Sequence, residues 1–150
     1  MIEPQITYWS IPAFVALTVC LITYLQMRRG ATVAGSQAMR ALLVSTTLWS
    51  LTQLASSLVT TLELQSIISP ISYVGIASVP VAWFMFCLTY SLGNDRPSPL
   101  LLLGVSCVPF VTVVMAFTNE HHDLLWTSMQ LTNVNGYIGV EYTYGLWWNI

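Results

Sequence analysis

The feature that most limits the possible folds of this chain is a series of four long apolar runs. They cover approximately residues 6–27, 39–62, 67–92 and 100–117. At about 1.5 Å rise per residue, a helix of roughly 20 residues crosses the ~30 Å hydrocarbon core of a bilayer. The runs lack the two-residue alternation of a membrane β-barrel, so helices are needed to satisfy their backbone in lipid. The sequence therefore predicts an all-α integral membrane protein, built as a polytopic helical bundle.

The scarcity of charge argues against a soluble domain. Only 7% of the residues are charged and 55% are hydrophobic, whereas soluble domains carry about 25% charged residues. The net charge of -2 offers no basic surface for nucleic acid. The cysteines Cys20, Cys87 and Cys107 lie inside apolar runs, without the spacing of a metal site or a disulfide framework. We expect no nucleic-acid partner, no cofactor and no metal, and a lipid bilayer as the surrounding medium.

The arginines predict the orientation of the bundle. Arg28, Arg29 and Arg40 flank the loop between the first two predicted helices, and Arg96 lies in the loop between the third and fourth. Successive loops alternate sides of the membrane, so all four arginines fall on one side. The positive-inside rule makes that side cytoplasmic. The N-terminus is therefore predicted to lie outside.

A more polar segment, residues 118–143, follows the fourth predicted helix and is interpreted as an external loop. Its residues alternate loosely on both sides of Asn135-Gly136, which predicts a short β-hairpin. From Tyr144 an aromatic stretch, typical of a membrane interface, predicts the start of a fifth helix. Because the sequence stops just after this start, we expect it to be a fragment of a larger bundle.

The adjacent histidines of the external loop leave two alternatives open. His121 and His122 stand between Glu120 and Asp123, so these side chains have the types of metal ligands. The other interpretation is that they order the loop by hydrogen bonding. Their spacing is not that of a zinc-binding helix, which favours the second interpretation.

Polar and aromatic side chains inside the predicted helices are candidates for a pocket. Gln53 lies near the middle of the second predicted helix, where an unpaired amide is costly. It should meet a polar partner, which is either another helix or a bound ligand. Trp49, Tyr73 and Trp83 also lie deep in predicted spans. They either pack in the core or form the wall of a small-molecule pocket that opens outward.

Three segments in series resemble the N-terminal seven-transmembrane sensor region of bacterial histidine kinases. Residues 80–90 are similar to its third helix, in which a proline precedes a stretch rich in Trp and Phe. Residues 118–126 are similar to its external loop. Residues 144–148 are similar to the aromatic opening of its fifth helix, although Leu146 stands where proline is frequent. The resemblance covers nearly the whole chain, and His121 falls where the family often has an aromatic residue.

The resemblance implies that residues 1–150 are the first part of a seven-helix sensory input module. Such a module lies in the bacterial inner membrane and is joined to a cytoplasmic kinase or related output domain, through which a homodimer is expected. This segment itself carries no catalytic motif. A transporter or channel fragment is the alternative, but no acidic or basic residue lies deep in a predicted span. A membrane enzyme would need a ligand or carboxylate cluster at one membrane face.

The module would bind a small molecule between its helices and beneath its external loop. A ligand shifts such a bundle only by its differential affinity for two packings. The candidates for the pocket and for the loop that covers it are Trp49, Gln53, Tyr73 and Trp83, and Asn119, His122 and Trp126.

Overall fold

The computed structural model describes residues 5–8, 10–30, 33–93, 98–134 and 136–149. The helices are α1 (Ser10–Arg29), α2 (Ser36–Leu58), α3 (Leu62–Leu92) and α4 (Pro99–Phe117). After a 3₁₀ turn at Asn119–His121 come the strands β1 (Trp126–Val134) and β2 (Tyr137–Tyr144), and then a 3₁₀ turn at Leu146–Asn149. The mostly helical fold and the small two-stranded sheet agree with the sequence-based expectation.

Three of the helices in the described part of the chain, α1, α3 and α4, are long and apolar enough to cross a membrane. Helix α2 has 23 residues, but its many hydroxyl side chains make it less apolar, and it does not belong to this group. It packs against both α1 and α3. The structure thus supports three of the four predicted spans by length and composition, and it gives α2 helix neighbours on two sides. The arrangement of the bundle in a bilayer stays a prediction.

The hydroxyl groups of α2 are largely satisfied within the helix itself. The side chains of Thr46, Thr47 and Thr52 donate to backbone carbonyls three or four residues earlier, at 2.6 to 3.1 Å. These hydroxyls therefore need no partner on another helix. Against α3 the helix comes very close, because a Cβ atom on Gly75 would lie 2.8 Å from the Trp49 backbone nitrogen. A small residue at position 75 is what lets α2 and α3 approach each other there.

Hydrogen bonds between α1 and α2 show that the two helices run antiparallel. Ser10, at the start of α1, lies 3.0 Å from the hydroxyl of Ser57 near the end of α2. Arg40, near the start of α2, donates from Nη2 to the carbonyl of Met27 near the end of α1, at 3.1 Å. We call the first of these ends the hairpin end, because the β-hairpin also lies there, and the other the arginine end.

Charge is segregated between these two ends. The described arginines lie at the arginine end, and the described acidic residues lie at the hairpin end, namely Glu63, Glu120, Asp123 and Glu141. Arg96, which the sequence analysis also places among the cytoplasmic arginines, lies outside the described residues. The separation matches the sequence pattern, while the side of the membrane that each end faces stays a prediction.

The helix bounds differ most from the predicted ones at the turn between α2 and α3. The sequence predicts helices over residues 39–62 and 67–92, whereas α2 ends at Leu58 and α3 begins at Leu62. The cause is Gln65, which is only 1% exposed. Its amide donates to the carbonyls of Ser56 and Val59, at 2.7 and 3.3 Å, and accepts from the Ser56 hydroxyl at 2.9 Å. This buried amide satisfies the carbonyls at the end of α2.

Candidate functional site

The hairpin at one end of the bundle turns where the sequence predicts it. Val134 pairs with Tyr137, which leaves a two-residue turn. Gly136 has a φ of 86°, a left-handed conformation that favours glycine, and its amide donates to the Asn133 side chain at 2.9 Å. Asn135 lies outside the described residues. Since Tyr144 still belongs to β2 and a 3₁₀ turn follows it, the fifth helix stays a prediction.

Gln5 ties this hairpin to the helices. Its side-chain amide donates to the carbonyl of Ile138 and accepts from the Ile138 N–H at 2.9 Å. Its backbone N–H donates to the carbonyl of Leu58, at the end of α2, at 3.2 Å. The amide of Gln5 thus pairs with β2 much as a neighbouring strand would, and one residue joins the segment before α1, the end of α2 and the hairpin.

Tyrosines provide further contacts between the hairpin and the bundle. The hydroxyl of Tyr142 lies 2.7 Å from the hydroxyl of Ser69 on α3. Tyr137 meets the ring of Tyr8 edge-on, with centroids 5.8 Å apart. Burial raises the pKa of Tyr142 above its ordinary value, more than the hydrogen bond to Ser69 lowers it. The phenol therefore stays protonated at neutral pH and keeps its ability to donate.

Beneath the hairpin lies a cavity of about 710 Å³, which we call the hairpin cavity. Its walls come from the start of α1, from the hairpin half of α2 and from β2. The described residues that line it are Thr7, Tyr8, Pro12, Ala13, Ala16, Trp49, Ser50, Gln53, Ser56, Ser57, Tyr137, Ile138, Gly139 and Val140. The cavity therefore lies at the junction that Gln5 holds together.

Two of the four pocket candidates from the sequence line the hairpin cavity. Trp49 is 40% exposed, and its backbone lies against Gly75 of α3. Gln53 is exposed, and its amide makes no hydrogen bond to any described residue. Of the two partners that the sequence analysis considers for Gln53, a neighbouring helix is therefore not found within the described ranges. A bound ligand stays a prediction.

The other two pocket candidates lie elsewhere. Tyr73 packs under the hairpin against Trp126 and Trp148, with ring centroids 5.6 and 6.4 Å apart. The structure thus brings Tyr73 together with a loop candidate in an aromatic cluster, but none of these rings lines the hairpin cavity. Trp83 is 54% exposed on α3 and contacts Phe86. The four pocket candidates do not meet in a single site.

Asn119 organises the turn between α4 and the hairpin. It is 3% exposed. Its side-chain oxygen accepts from the N–H groups of Leu125 and Trp126, at 2.9 and 3.3 Å, and its amide donates to the Trp126 carbonyl at 2.7 Å. These bonds close the turn around Leu125, which is fully buried. Asn119 therefore sets where β1 begins.

His122 orders the same turn by hydrogen bonding. The N–H of Leu124 donates to Nδ1 of His122 at 3.1 Å, so the proton of the neutral ring lies on Nε2. Nε2 lies 3.1 Å from the hydroxyl of Thr118, which donates to the carbonyl of Val114 at 2.9 Å. This relay supports the loop-ordering interpretation for His122, while the role of His121 stays a prediction. Among the described residues, no three His, Cys, Asp or Glu side chains are grouped to hold a metal ion.

Four residues that build this end are not among the sequence candidates, namely Gln5, Gln65, Ser69 and Tyr142. Tyr142 could have been found from the alternation of β2. Gln5 and Gln65 fall in segments that the sequence marks as polar connections, where an amide is usually taken to face solvent. Most of their hydrogen bonds are made to backbone groups across a turn or on the hairpin, so no helical or strand period signals them.

Two further cavities lie outside this junction. One, of about 630 Å³, lies between α2, α3 and α4 and is mostly apolar, with Val74, Met85 and Phe110 among its walls. The other is a smaller cleft of about 370 Å³ beside the turn after α4, where Glu63 and Asp123 contribute carboxylates. Trp126 and Asn119 line this cleft as well, so the loop candidates do not close over the hairpin cavity.

Comparison with known proteins gives one match. A family model described as the N-terminal 7TM region of histidine kinase matches residues 11–150. No curated protein and no solved structure matches the chain significantly. The matched range extends from the first turn of α1 through the hairpin, so it includes the residues that line the cavity on α2 and β2.

Proposed function

This chain belongs to the family of N-terminal 7TM regions of histidine kinases, and we propose that it is the membrane-embedded sensory input module of a bacterial signal-transduction protein. A 7TM sensor region is an input region and not a catalytic one. The proposal goes further in naming a site. The module detects a small molecule that reaches the hairpin cavity from outside the cytoplasm, and it passes the signal to a kinase or related output domain.

The proposed orientation places the arginine end in the cytoplasm and the hairpin end outside, in the bacterial inner membrane. Arg28, Arg29 and Arg40 lie at one end of the described helices, and the described acidic residues lie at the other. Positive charge near helix ends favours the cytoplasmic side. This orientation exposes the hairpin cavity to extracytoplasmic molecules. It also directs the end of α3 toward an output domain, through which two copies would form a homodimer.

The observation that carries the proposed site is the hairpin cavity itself. Its volume of about 710 Å³ lies within the roughly 300–1,000 Å³ typical of small-molecule pockets. Gln53 and Trp49 stand in its wall, and the amide of Gln53 has no partner among the described residues. The hairpin above it is tied down at Ile138 by Gln5. A ligand would therefore touch α1, α2 and the hairpin together.

A route for the signal starts at Trp49. The backbone of this residue is packed on Gly75 of α3 without room for a Cβ atom between them. A ligand that shifts the backbone of α2 at Trp49 would therefore also change how α2 packs on α3. If the ligand binds one packing more tightly than the other, it shifts the population of the two by that difference in affinity.

The test substitutes the cavity wall in the complete receptor that carries this segment. Trp49→Ala and Gln53→Ala should each change basal autophosphorylation or its response to spent culture medium. Trp83→Ala is the matched control, since Trp83 is exposed on α3 and does not line the cavity. Wild-type signalling in both cavity variants, at wild-type receptor levels in the membrane, would rule out the hairpin cavity as the sensory site.

A further inference from the structure

The chemistry of the hairpin cavity restricts the signal it can take. We propose that this cavity binds an uncharged molecule that has an apolar body and a hydrogen-bonding amide, carbonyl or hydroxyl group. The inference rests on the proposed function and names the class of its ligand. The proposed class includes neutral signal molecules and excludes inorganic ions, organic acids and amines.

The first observation is the charge of the walls. None of the described residues that line the hairpin cavity is acidic, basic or a histidine. Charged side chains are present at the same end of the bundle, but Glu63, Glu120 and Asp123 line the separate cleft beside the turn after α4. A charged ligand in the hairpin cavity would give up hydration without an opposite charge in the described wall to replace it.

The second observation is a set of polar groups without partners on the α2 wall. The amide of Gln53, the indole N–H of Trp49 and the hydroxyl of Ser50 make no hydrogen bond to any described residue. Neighbouring groups do have partners, since Ser57 pairs with Ser10 and Ser56 with Gln65. The unpaired groups of this part of α2 are thus concentrated on the cavity, where they offer both donors and an acceptor.

The third observation is the rest of the lining, which is largely apolar but also includes the hydroxyl-bearing residues Thr7, Tyr8 and Tyr137. Pro12, Ala13 and Ala16 of α1 contribute small hydrophobic surfaces, and Ile138 and Val140 of β2 lie above them. A ligand with a flat apolar body could lie against α1 and β2 while its polar group faces α2. Burying this apolar area favours binding, and the polar group would satisfy Gln53 in the same pose.

A matched pair of probes tests the class directly. Indole-3-acetamide and indole-3-acetate have almost the same shape, but only the second is charged at neutral pH, and tryptamine supplies the cationic counterpart. Binding of each to the full chain in lipid nanodiscs would be measured by saturation-transfer-difference NMR, with empty nanodiscs subtracted. We expect indole-3-acetamide to bind at least tenfold more tightly than either charged probe.

Two variants and a control assign that binding to the cavity. Gln53→Ala should weaken the binding of indole-3-acetamide about fivefold, as expected for the loss of a hydrogen bond of about 1 kcal/mol. Trp49→Phe keeps the aromatic ring and removes the N–H, and it should weaken binding by a smaller factor. Gln130→Ala removes an exposed amide of β1 that does not line the cavity, and binding should not change.

The outcomes that overturn the inference differ from those that overturn the sensory site. Equal, Gln53-dependent binding of the charged probes would show that the cavity is a site but that its ligand class is wrong. An absence of Gln53-dependent binding for all three probes would overturn the ligand class as well. The signalling assay with Trp49→Ala and Gln53→Ala judges the sensory site independently of any probe.

Discussion

The two ends of the helical bundle are held together in different ways. At the hairpin end, side-chain amides of Gln5, Gln65 and Asn119 bind backbone groups of other elements. At the arginine end, Arg40 donates to Met27, and a Cβ atom on Gly35 would lie 3.4 Å from the ring of Phe86 and from the Cβ of Tyr90 on α3. Within the described ranges, side-chain bonds to the backbone are prominent at the hairpin end, and close packing is prominent at the arginine end.

Different kinds of contact at the two ends allow a small module to keep its binding site rigid and still change its packing when a ligand binds. An amide that binds both the N–H and the carbonyl of a distant residue fixes position and orientation at once, which preorganises the hairpin cavity. Packing contacts allow two arrangements of similar energy more readily than buried hydrogen bonds do, because a broken buried bond leaves an unsatisfied group. We therefore expect ligand-dependent repacking to be larger at the arginine end.

The largest expected effect of a single substitution is at Gly145, which closes the hairpin end. A Cβ atom there would overlap the carbonyl oxygens of Asp123 and Leu124. Gly145→Ala must push this turn apart and break the bonds from Gly145 to Leu125 and from Trp147 to Leu124. We expect the free energy of unfolding in mixed micelles to fall by about 3 kcal/mol.

Gly104 provides the control for this substitution. It lies on α4, and a Cβ atom there would meet no other atom within 4 Å. Gly104→Ala should leave stability unchanged or raise it by up to about 1 kcal/mol, because alanine favours a helix. A Gly145→Ala variant as stable as Gly104→Ala would show that the turn does not hold the hairpin end together.

The next largest effect should separate two glutamines that differ in burial. Gln65→Ala removes a buried amide with three hydrogen bonds, which join it to the hydroxyl and carbonyl of Ser56 and to the carbonyl of Val59, so the free energy of unfolding should fall by about 2 kcal/mol. Gln53→Ala removes an exposed amide without a described partner and should change stability by less than about 0.5 kcal/mol. Thermal unfolding followed by circular dichroism measures both, and equal losses would contradict the assignment of the buried role to Gln65.

These glutamines also show what the sequence can predict and what it cannot. Long apolar runs predict helices, and the alternation around Asn135-Gly136 predicts the hairpin, because both signals are local and periodic. Gln53 is recognised because it interrupts an apolar run. Gln65 looks like part of a polar loop, since two of its three side-chain hydrogen bonds go to backbone carbonyls that come near only once α2 has ended. The sequence cannot reveal such partners, because backbone groups carry no side-chain signature.

The same limit applies to the candidate site. Trp49 and Gln53 are four residues apart, so helical spacing places them on one face, and they line one cavity as a result. Tyr73 and Trp83 are ten residues apart on α3 and belong to different surroundings, one under the hairpin and one exposed. Which helix faces meet each other depends on the packing of α2 between α1 and α3, and this is decided by contacts such as Gly75 against Trp49.

A smaller effect is expected when the hairpin is released without disturbing its turn. Gln5→Ala removes both side-chain hydrogen bonds to Ile138. The free energy of unfolding should therefore fall by about 1–2 kcal/mol. Hydrogen exchange of the Ile138 amide should become faster, while exchange of the amides in the neighbouring hydrogen-bonded pair of the ladder, Thr132 and Gly139, changes little. Gln130→Ala is the matched control on the exposed part of β1. Unchanged exchange at Ile138 in the Gln5 variant would mean that the hairpin is held without this residue.

The smallest effect should be at the arginine end, and it decides whether the comparison holds. Arg40→Ala removes one hydrogen bond to Met27 and a positive charge beside the last turn of α1, where the helix dipole favours cations. We expect the free energy of unfolding to fall by about 1 kcal/mol in Arg40→Ala. In Arg29→Ala it should fall by only about a few tenths of a kcal/mol, because the Arg29 side chain is exposed. The measurement is unfolding in the same mixed micelles. If Arg40→Ala destabilised the chain more than Gln65→Ala, the arginine end would be the rigid one, and ligand-dependent repacking would have to be sought at the hairpin end instead.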